Sequence, residues 1–351
     1  MGMFPPPVTG AAKNLLLMHD EMARRGVRTA IVDTGIHTSA LSRSIGYHRK
    51  RVSHFFRQRA KMEAIASSAG RAPVLYCVPD GGLGLWYTYG YLRSAVGRVR
   101  RTVLHHRTFQ YIDKPSEAMR RICKLRDLEI IHVFLSSGMA AQFQKEYGSV
   151  TSLVSTNARY VTPRRPAKST GALVIGHLSN LCTEKGFFDV ADTFEAVSMQ
   201  GISARLEIAG PILEPSIETR LIQLTDKYGE AVKYHGPLSG AAKDAFYDGI
   251  DIFLFPTRWK QEAQPNVVYE AYAGGARVIA YGRGCIPEQL DMPDGHSIDI
   301  DSAFPEAAVK VISQWSAASN RDEAAARIAE HLEIERTRSV SQYEQLLQIL
   351  T

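Results

Sequence analysis

Between residues 172 and 300 short apolar runs recur at regular intervals: "ALVIGHL" at 172–178, "ARLEIAG" at 204–210, "VKYHG" at 232–236, "IDIFLFP" at 250–256, "RVIAY" at 277–281 and "HSIDI" at 296–300. Amphipathic stretches such as "KGFFDVADTFEAVSMQ" and "SIETRLIQLTDKYG" separate them, each long enough for a helix. Short β-rich runs alternating with helical patterns leave few foldings open. The chain must build a parallel sheet covered by helices on both faces, because each crossover returns the next strand in the same direction.

The first half repeats this scheme less cleanly. Its candidate strands are 28–34, 73–79, 101–106, 130–137 and 152–155, with helices at 11–25, 47–67, 83–97, 115–126 and 138–147. The 351 residues suit two domains. "TPRRPAKSTG" at 162–171 is rich in proline and charge and reads as the junction. The expected division is therefore an N-terminal domain over 1–163, a linker over 164–171, and a C-terminal domain over 172–335. A terminal helix over 336–351, carrying "SQYEQLLQIL", can pack back on the N-terminal domain. The fold class is α/β, two doubly wound Rossmann-like domains. Such sheets bind ligands at the carboxyl ends of their strands, so the chemistry is expected in a cleft where two such domains face each other.

Composition narrows the function. The apolar fraction of 45% supports sizeable cores, and no apolar run is long enough to cross a bilayer. "MGMFPPPVTG" has no basic region followed by an apolar segment, so it does not read as a secretory signal. The four cysteines are scattered, with no Cys-x-x-Cys and no zinc-ligand spacing, which suits reduced thiols and a cytoplasmic protein. The net charge is +6, with basic clusters at 47–61, 97–101 and 120–126. A solvated helix face explains any one cluster. In 47–61, however, Phe55 and Phe56 sit among arginines, which also suits a helix lying on an anionic membrane surface. His19, His37 and His132 are isolated and read as satisfied or solvated histidines. "GGLGLW" and "GRG" do not complete Gly-x-Gly-x-x-Gly, so a nicotinamide dehydrogenase is unsupported, and no Walker lysine pattern occurs. The basic clusters belong to no nucleic-acid-binding module.

The most informative segment is "RWKQEAQPNVVYEAYAGGARVIAY" at 258–281. A strand ends at Pro256 and a loop runs to Gln264. Pro265 suits the first helical position, where a missing N–H costs nothing. The amides of Asn266, Val267 and Val268 would then point out of the helix start, which carries roughly +0.5 of a charge and suits a phosphate. Glu262 stays in the loop. Glu270 lies inside the helix, where its carboxylate can accept two hydrogen bonds from a diol such as ribose. Gly274-Gly275 ends the helix. A lone Glu-x7-Glu would be two solvated acids, but this pair straddles a strand–loop–helix junction.

Other motifs fall into register with it, and together they resemble the retaining glycosyltransferases of family four, the glycosyl transferases group one, which have the GT-B fold. "EAQPNVVYEAYAGGARVIAYGRGCIPE" follows that family's order of acid, loop, second acid with alanine, glycine and strand. "SNLCTEKGF" at 179–187 resembles its diphosphate loop, and "EIAGP" and "YHGPLS" match further segments. In the first half, "PPPVTGAAKNLLLMHDEMARRG" is similar to the family's first glycine loop and helix, and "VLHHRTF" to a strand ending in a histidine that faces the donor sugar. The resemblance implies roles. Glu270 would bind ribose, Glu262 hydroxyls of the transferred sugar, and Lys185 the departing diphosphate with the amides after Pro265. Gly210 and Leu238 would border the base. Gly10 would admit the diphosphate or sugar, and His105, or secondarily His106, would bond the sugar near its reacting carbon.

Two departures from the pattern stand out. Asn180 occupies the place of the family's usual diphosphate-binding arginine, leaving Arg258 and Arg107 as the candidates to supply that charge. "MGMF" is short for a first strand of ~5–6 residues, so that strand is short or truncated. The resemblance implies transfer of a sugar from a nucleotide-diphosphate sugar to a glycan or lipid-linked acceptor in bacterial polysaccharide or glycoconjugate biosynthesis. It implies retention of configuration with no metal and no other cofactor. Asp299-Ile300-Asp301 has the spelling of a metal motif but lies at the end of the last strand and reads as a loop pair. The alternative is a GT-B scaffold that binds nucleotide or glycan without turnover, with Asn180 as its mark. The expected partners are the donor, the acceptor and an anionic membrane face on the cytoplasmic side, with no nucleic acid.

Overall fold

The computed structural model describes residues 1–6, 10–36, 45–168, 171–317 and 320–351. His37, part of the first glycine loop and two residues of the expected linker lie outside them. The chain divides into two compact units, 1–156 with 341–351, and 157–340.

The first unit runs α1 (Gly10–Arg24), α2 (Ile45–Ser68), β1 (Val74–Cys77), α3 (Leu85–Ala95), β2 (Arg101–His105), α4 (Gln110–Asp113), α5 (Glu117–Cys123), β3 (Ile130–Phe134), α6 (Ser137–Tyr147) and β4 (Ser152–Val154). The four strands form one parallel sheet in the order β1-β2-β3-β4. The strand expected at 28–34 does not form. Only Asp33 pairs, in an isolated parallel bridge with Gly2. Gly2 donates to Val32 O and accepts from Thr34 N, and 28–31 meets no partner strand to complete a ladder among the described residues.

The second unit is more regular. It runs β5 (Leu173–Leu178), α7 (Phe187–Met199), β6 (Ala204–Ala209), α8 (Pro215–Tyr228), β7 (Val232–Tyr234), α9 (Gly240–Gly249), β8 (Ile252–Phe255), α10 (Asn266–Ala273), β9 (Arg277–Tyr281), α11 (Ile286–Gln289), β10 (Gly295–Ile298), α12 (Phe304–Ala317) and α13 (Arg321–Leu350). Its six parallel strands are ordered β10-β9-β8-β5-β6-β7. The alternation of apolar residues explains why both faces are covered. Ile175, Leu206, Ile208, Leu254 and Ile279 join the core under α7, α8 and α12. Their neighbours Val174, Ala209, Phe253, Phe255 and Val278 join the core under α9, α10 and the start of α13.

The terminal helix is longer than the sequence suggests. It begins at Arg321 and spans 30 residues. Ile328 and Leu332 belong to the core of the second unit, while Leu346 and Leu347 pack with Met18, Met22, Val103 and Val133 of the first.

From β5 the chain winds outward through β6 and β7, then returns to place β8 on the other side of β5. The carboxyl ends of β5 and β8 therefore flank the switch point of the sheet. There the following loops diverge to opposite faces and leave a crevice for a ligand.

Candidate functional site

The loops after β5 and β8 meet at that switch point. After β5 the chain makes a single 3-10 turn, Thr183–Lys185. Gly186 follows with φ 81°, and a Cβ there would lie 2.2 Å from Pro256 O. Glycine is therefore required for the two loops to touch. The contact brings Lys185 Nζ against the Glu262 carboxylate in a short ion pair, both side chains mostly buried. The ammonium also lies 5.7 Å from the ring of Phe255 and 5.8 Å from that of Trp259. The structure thus joins two residues that lie far apart in sequence.

Pro265 precedes α10 rather than starting it. Its ψ of 127° is extended, and Asn266 is the first helical residue. The difference matters for the amides. Val268 N donates to Pro265 O at 3.4 Å, so it is spent inside the first turn. The Asn266 and Val267 amides have no partner among the described residues, and they remain for a ligand. Pro265 O also accepts from Gln289 Nε2 at 3.1 Å, which fixes the turn from the side of α11.

Glu270 sits one turn further on. It accepts from Lys243 Nζ at 2.5 Å and from Tyr247 OH at 3.3 Å. Burial and the neighbouring Glu270 hold the Tyr247 hydroxyl well above its usual range, so it stays protonated and donates.

Gly210 follows β6 with φ 123°, and a Cβ would lie 1.7 Å from Ser179 O. Only glycine permits that approach. Tyr234 OH donates to Gly210 O at 2.7 Å, and Leu238 is half-buried against the adjoining core. Asn180 is exposed. Arg258 does not replace the missing arginine here. It donates to Tyr281 OH and to Ile300 O at 3.2 Å, lies 4.4 Å over the Tyr281 ring, and is 3.8 Å from Asp189. Asp301 N donates to Asp299 Oδ1 at 2.9 Å, a local turn at the end of β10.

Sequence reasoning missed Lys243, Tyr247 and His177. His177 is fully buried on β5, with Nδ1 2.9 Å from Leu254 O and Nε2 2.9 Å from Ser179 Oγ. If Nδ1 donates to the carbonyl, Nε2 accepts from Ser179 and ties the start of the loop after β5 to β8. Burial pushes the imidazole down to about 4, so it is neutral.

Three of the expected residues lie in the first unit. His105 ends β2, fully buried, with Nδ1 2.6 Å from Tyr76 OH. His106 is a core residue. Its ring stacks on His132 and Phe134, Nδ1 meets Tyr111 OH at 2.8 Å and Nε2 meets His132 Nδ1 at 2.9 Å. Both nitrogens are engaged, which removes it as a ligand for a sugar. Gly10 is the exposed first residue of α1, and a Cβ there would meet nothing. Packing does not require glycine at that position.

A doubly wound sheet with its polar groups gathered at the switch point, joined to a second parallel α/β unit, is the GT-B fold of glycosyltransferases. A family model described as "Glycosyl transferases group 1" matches residues 172–314, most of the second unit, so this region is of the group 1 glycosyltransferase type. The structure is similar to that of the Anabaena protein HepE in complex with UDP, at 17% identity and TM-score 0.66, over 99% of this chain and 90% of that one. The E. coli trehalose-6-phosphate synthase bound with UDP-2-fluoro glucose gives 11% identity and TM-score 0.66, over 100% and 97%. Sucrose-phosphate synthase from Thermosynechococcus elongatus gives 14% and 0.63, over 93% and 84%. At these identities the likeness is one of fold. Comparison with curated protein sequences finds no match.

Proposed function

We propose that this chain is a retaining glycosyltransferase that moves a sugar from a nucleoside-diphosphate sugar to a glycan or lipid-linked hydroxyl. The observation that carries the reading is the Lys185–Glu262 pair at the switch point, beside the α10 start with its two open amides. Breaking the bond from the anomeric carbon to the diphosphate leaves an extra negative charge on the β-phosphate. Lys185 and the α10 amides are fixed before the reaction and stabilise that charge as it develops. Glu262, already in hydrogen-bond reach of Lys185, accepts from hydroxyls of the sugar. Glu270 takes the ribose, with Gly210 and Leu238 at the base. The acceptor oxygen bonds to the anomeric carbon on the face the phosphate leaves, and its proton passes to the departing phosphate oxygen. Lys185 and the amides meet the charge without a metal ion.

The ligands in the similar structures are UDP and UDP-sugars, which makes UDP the first nucleotide to test. Calorimetric titration with UDP, GDP, ADP and dTDP tests the site, on the wild type and on Glu270→Ala. One diphosphate should bind, and the variant should lose it. Binding of none would favour a non-catalytic scaffold, the reading that Asn180 supports.

The acceptor side extends the proposal to an anionic membrane surface of the cytoplasmic leaflet. On α2, Val52 and Phe56 are exposed among the exposed Arg49, Lys50, Arg57 and Lys61. Phe55, grouped with Phe56 in the sequence reading, turns inward onto Tyr91 at 4.8 Å. Leu83, before α3, is 84% exposed and Trp86 is also exposed, which adds apolar surface beyond α2. No described helix is long and apolar enough to cross a membrane.

A further inference from the structure

Lys243 and Tyr247 are four residues apart on α9 and share one face of it. That face reaches α10 only because the two helices approach closely. A Cβ on Gly274, just past α10, would lie 2.4 Å from Tyr247 O. Lys168 secures the approach. Its buried ammonium donates to Asp248 O at 3.2 Å, Ile250 O at 2.7 Å and Gly274 O at 2.7 Å, and so ties the C-terminal ends of both helices together. The position of Lys243 and Tyr247 relative to Glu270 is thus set by the packing of the whole helix pair.

A carboxylate offers about four acceptor sites, two on each oxygen. Lys243 fills one on Oε1 and Tyr247 one on Oε2. One on each oxygen is left, the pattern a vicinal diol satisfies. We propose that Lys243 and Tyr247 are positioning residues of the donor site, holding Glu270 so that it selects a ribonucleoside diphosphate over its 2′-deoxy counterpart. This rests on Glu270 as the ribose ligand. Lys243 holds one oxygen and Tyr247 the other, and together they fix the plane of the carboxylate. A 2′-deoxyribose then leaves one oriented oxygen without its donor, while a carboxylate free to rotate would re-pair with water and lose the distinction.

The test is calorimetric titration of UDP and 2′-deoxy-UDP against the wild type, Lys243→Met, Lys243→Arg, Tyr247→Phe, Glu270→Gln and the Lys243→Met/Glu270→Gln double variant. Wild type should prefer UDP by about tenfold, the scale of one unsatisfied polar group. Lys243→Met should weaken UDP about tenfold and 2′-deoxy-UDP much less, collapsing the preference. Lys243→Arg should retain most of it. The double variant should bind UDP no worse than Glu270→Gln alone, because both act on the same interaction. Equal losses for the two nucleotides in Lys243→Met would overturn the proposal. So would tighter UDP binding, which would mean that Lys243 occupies the ribose position and must be displaced. A wild-type-like Glu270→Gln would instead reject Glu270 as the ribose ligand, a separate failure.

Discussion

At the scale of single residues the candidate site is built from pairs rather than isolated groups. Lys185 is neutralised by Glu262, and Glu270 by Lys243. Each pair spans two loops or helices, so each side chain is held in place before a ligand arrives. A diphosphate would draw Lys185 towards its own negative charge and leave Glu262 free to accept from sugar hydroxyls. Lys185→Ala should therefore lower transfer by ~10²–10³, the range for loss of one preorganised group that stabilises developing charge. Release of nucleoside diphosphate from the donor measures it, with melting curves to show that the fold persists. Turnover close to wild type in a folded variant would remove Lys185 from the mechanism. Gly210 sets a stricter limit of another kind. With φ 123° and Ser179 O so near, any side chain must move the loop after β5, and a defect there would report geometry rather than charge.

At the scale of elements, α2 supports the clearest prediction outside the donor site. Its exposed cations and Phe56 should give co-sedimentation with phosphatidylserine-containing vesicles at low salt and release at high salt, since charge attraction beyond ~10 Å is screened at 0.1 M. Phe56→Ser with Val52→Ser should weaken it without touching nucleotide binding. No pelleting at low salt would end the membrane reading. How far the elements could be read in advance depended on their surroundings. In the second unit every expected strand formed, the central β5, β8 and β9 because they are buried nearly throughout and their apolar runs are unmistakable. The run at 28–34 is as apolar, yet only Asp33 pairs, because a ladder needs a partner strand and local pattern cannot supply one. Glu262, Lys185 and Glu270 were legible as a register of motifs, but their partners were not. Lys243 and Tyr247 lie on a helix whose sequence, "GAAKDAFYDG", looks like any solvated surface helix. Only the approach permitted by Gly274 makes them part of the site. Lys168 is the extreme case. A lysine in a stretch rich in proline and charge gives no sign that three carbonyls from two helix ends await it.

At the scale of the molecule, both units carry fully buried histidines that must stay neutral. Burial pushes His132 in the first unit and His177 in the second down to about 4, and His106 well below its ordinary range, with the neighbouring His132 adding to the effect. The unfolded chain has ordinary histidines near 6.5. Between about 6.5 and 4 the unfolded state therefore binds more protons than the folded one, and stability falls as pH falls through that window. The half-buried Asp80 works the other way. It is pushed up to about 6, so acid relieves its burial in the first unit. Asp189 and Asp251 are also raised by burial and give the same opposing sign in the second. A melting curve of the wild type alone mixes these contributions, and two units can melt separately. A histidine variant isolates one of them. In His177→Gln the amide can donate to Leu254 O and accept from Ser179 Oγ as the imidazole does, but it takes up no proton. Between pH 7 and pH 5 this variant should lose about 2 kcal/mol less stability than the wild type. Urea unfolding at each pH, followed by the fluorescence of Trp259 and Trp315 in the second unit, measures it. Parallel pH dependence in the two proteins would mean that His177 is protonated in the folded state. Its hold on Ser179 would then have to be a charged one, with Nε2 donating rather than accepting.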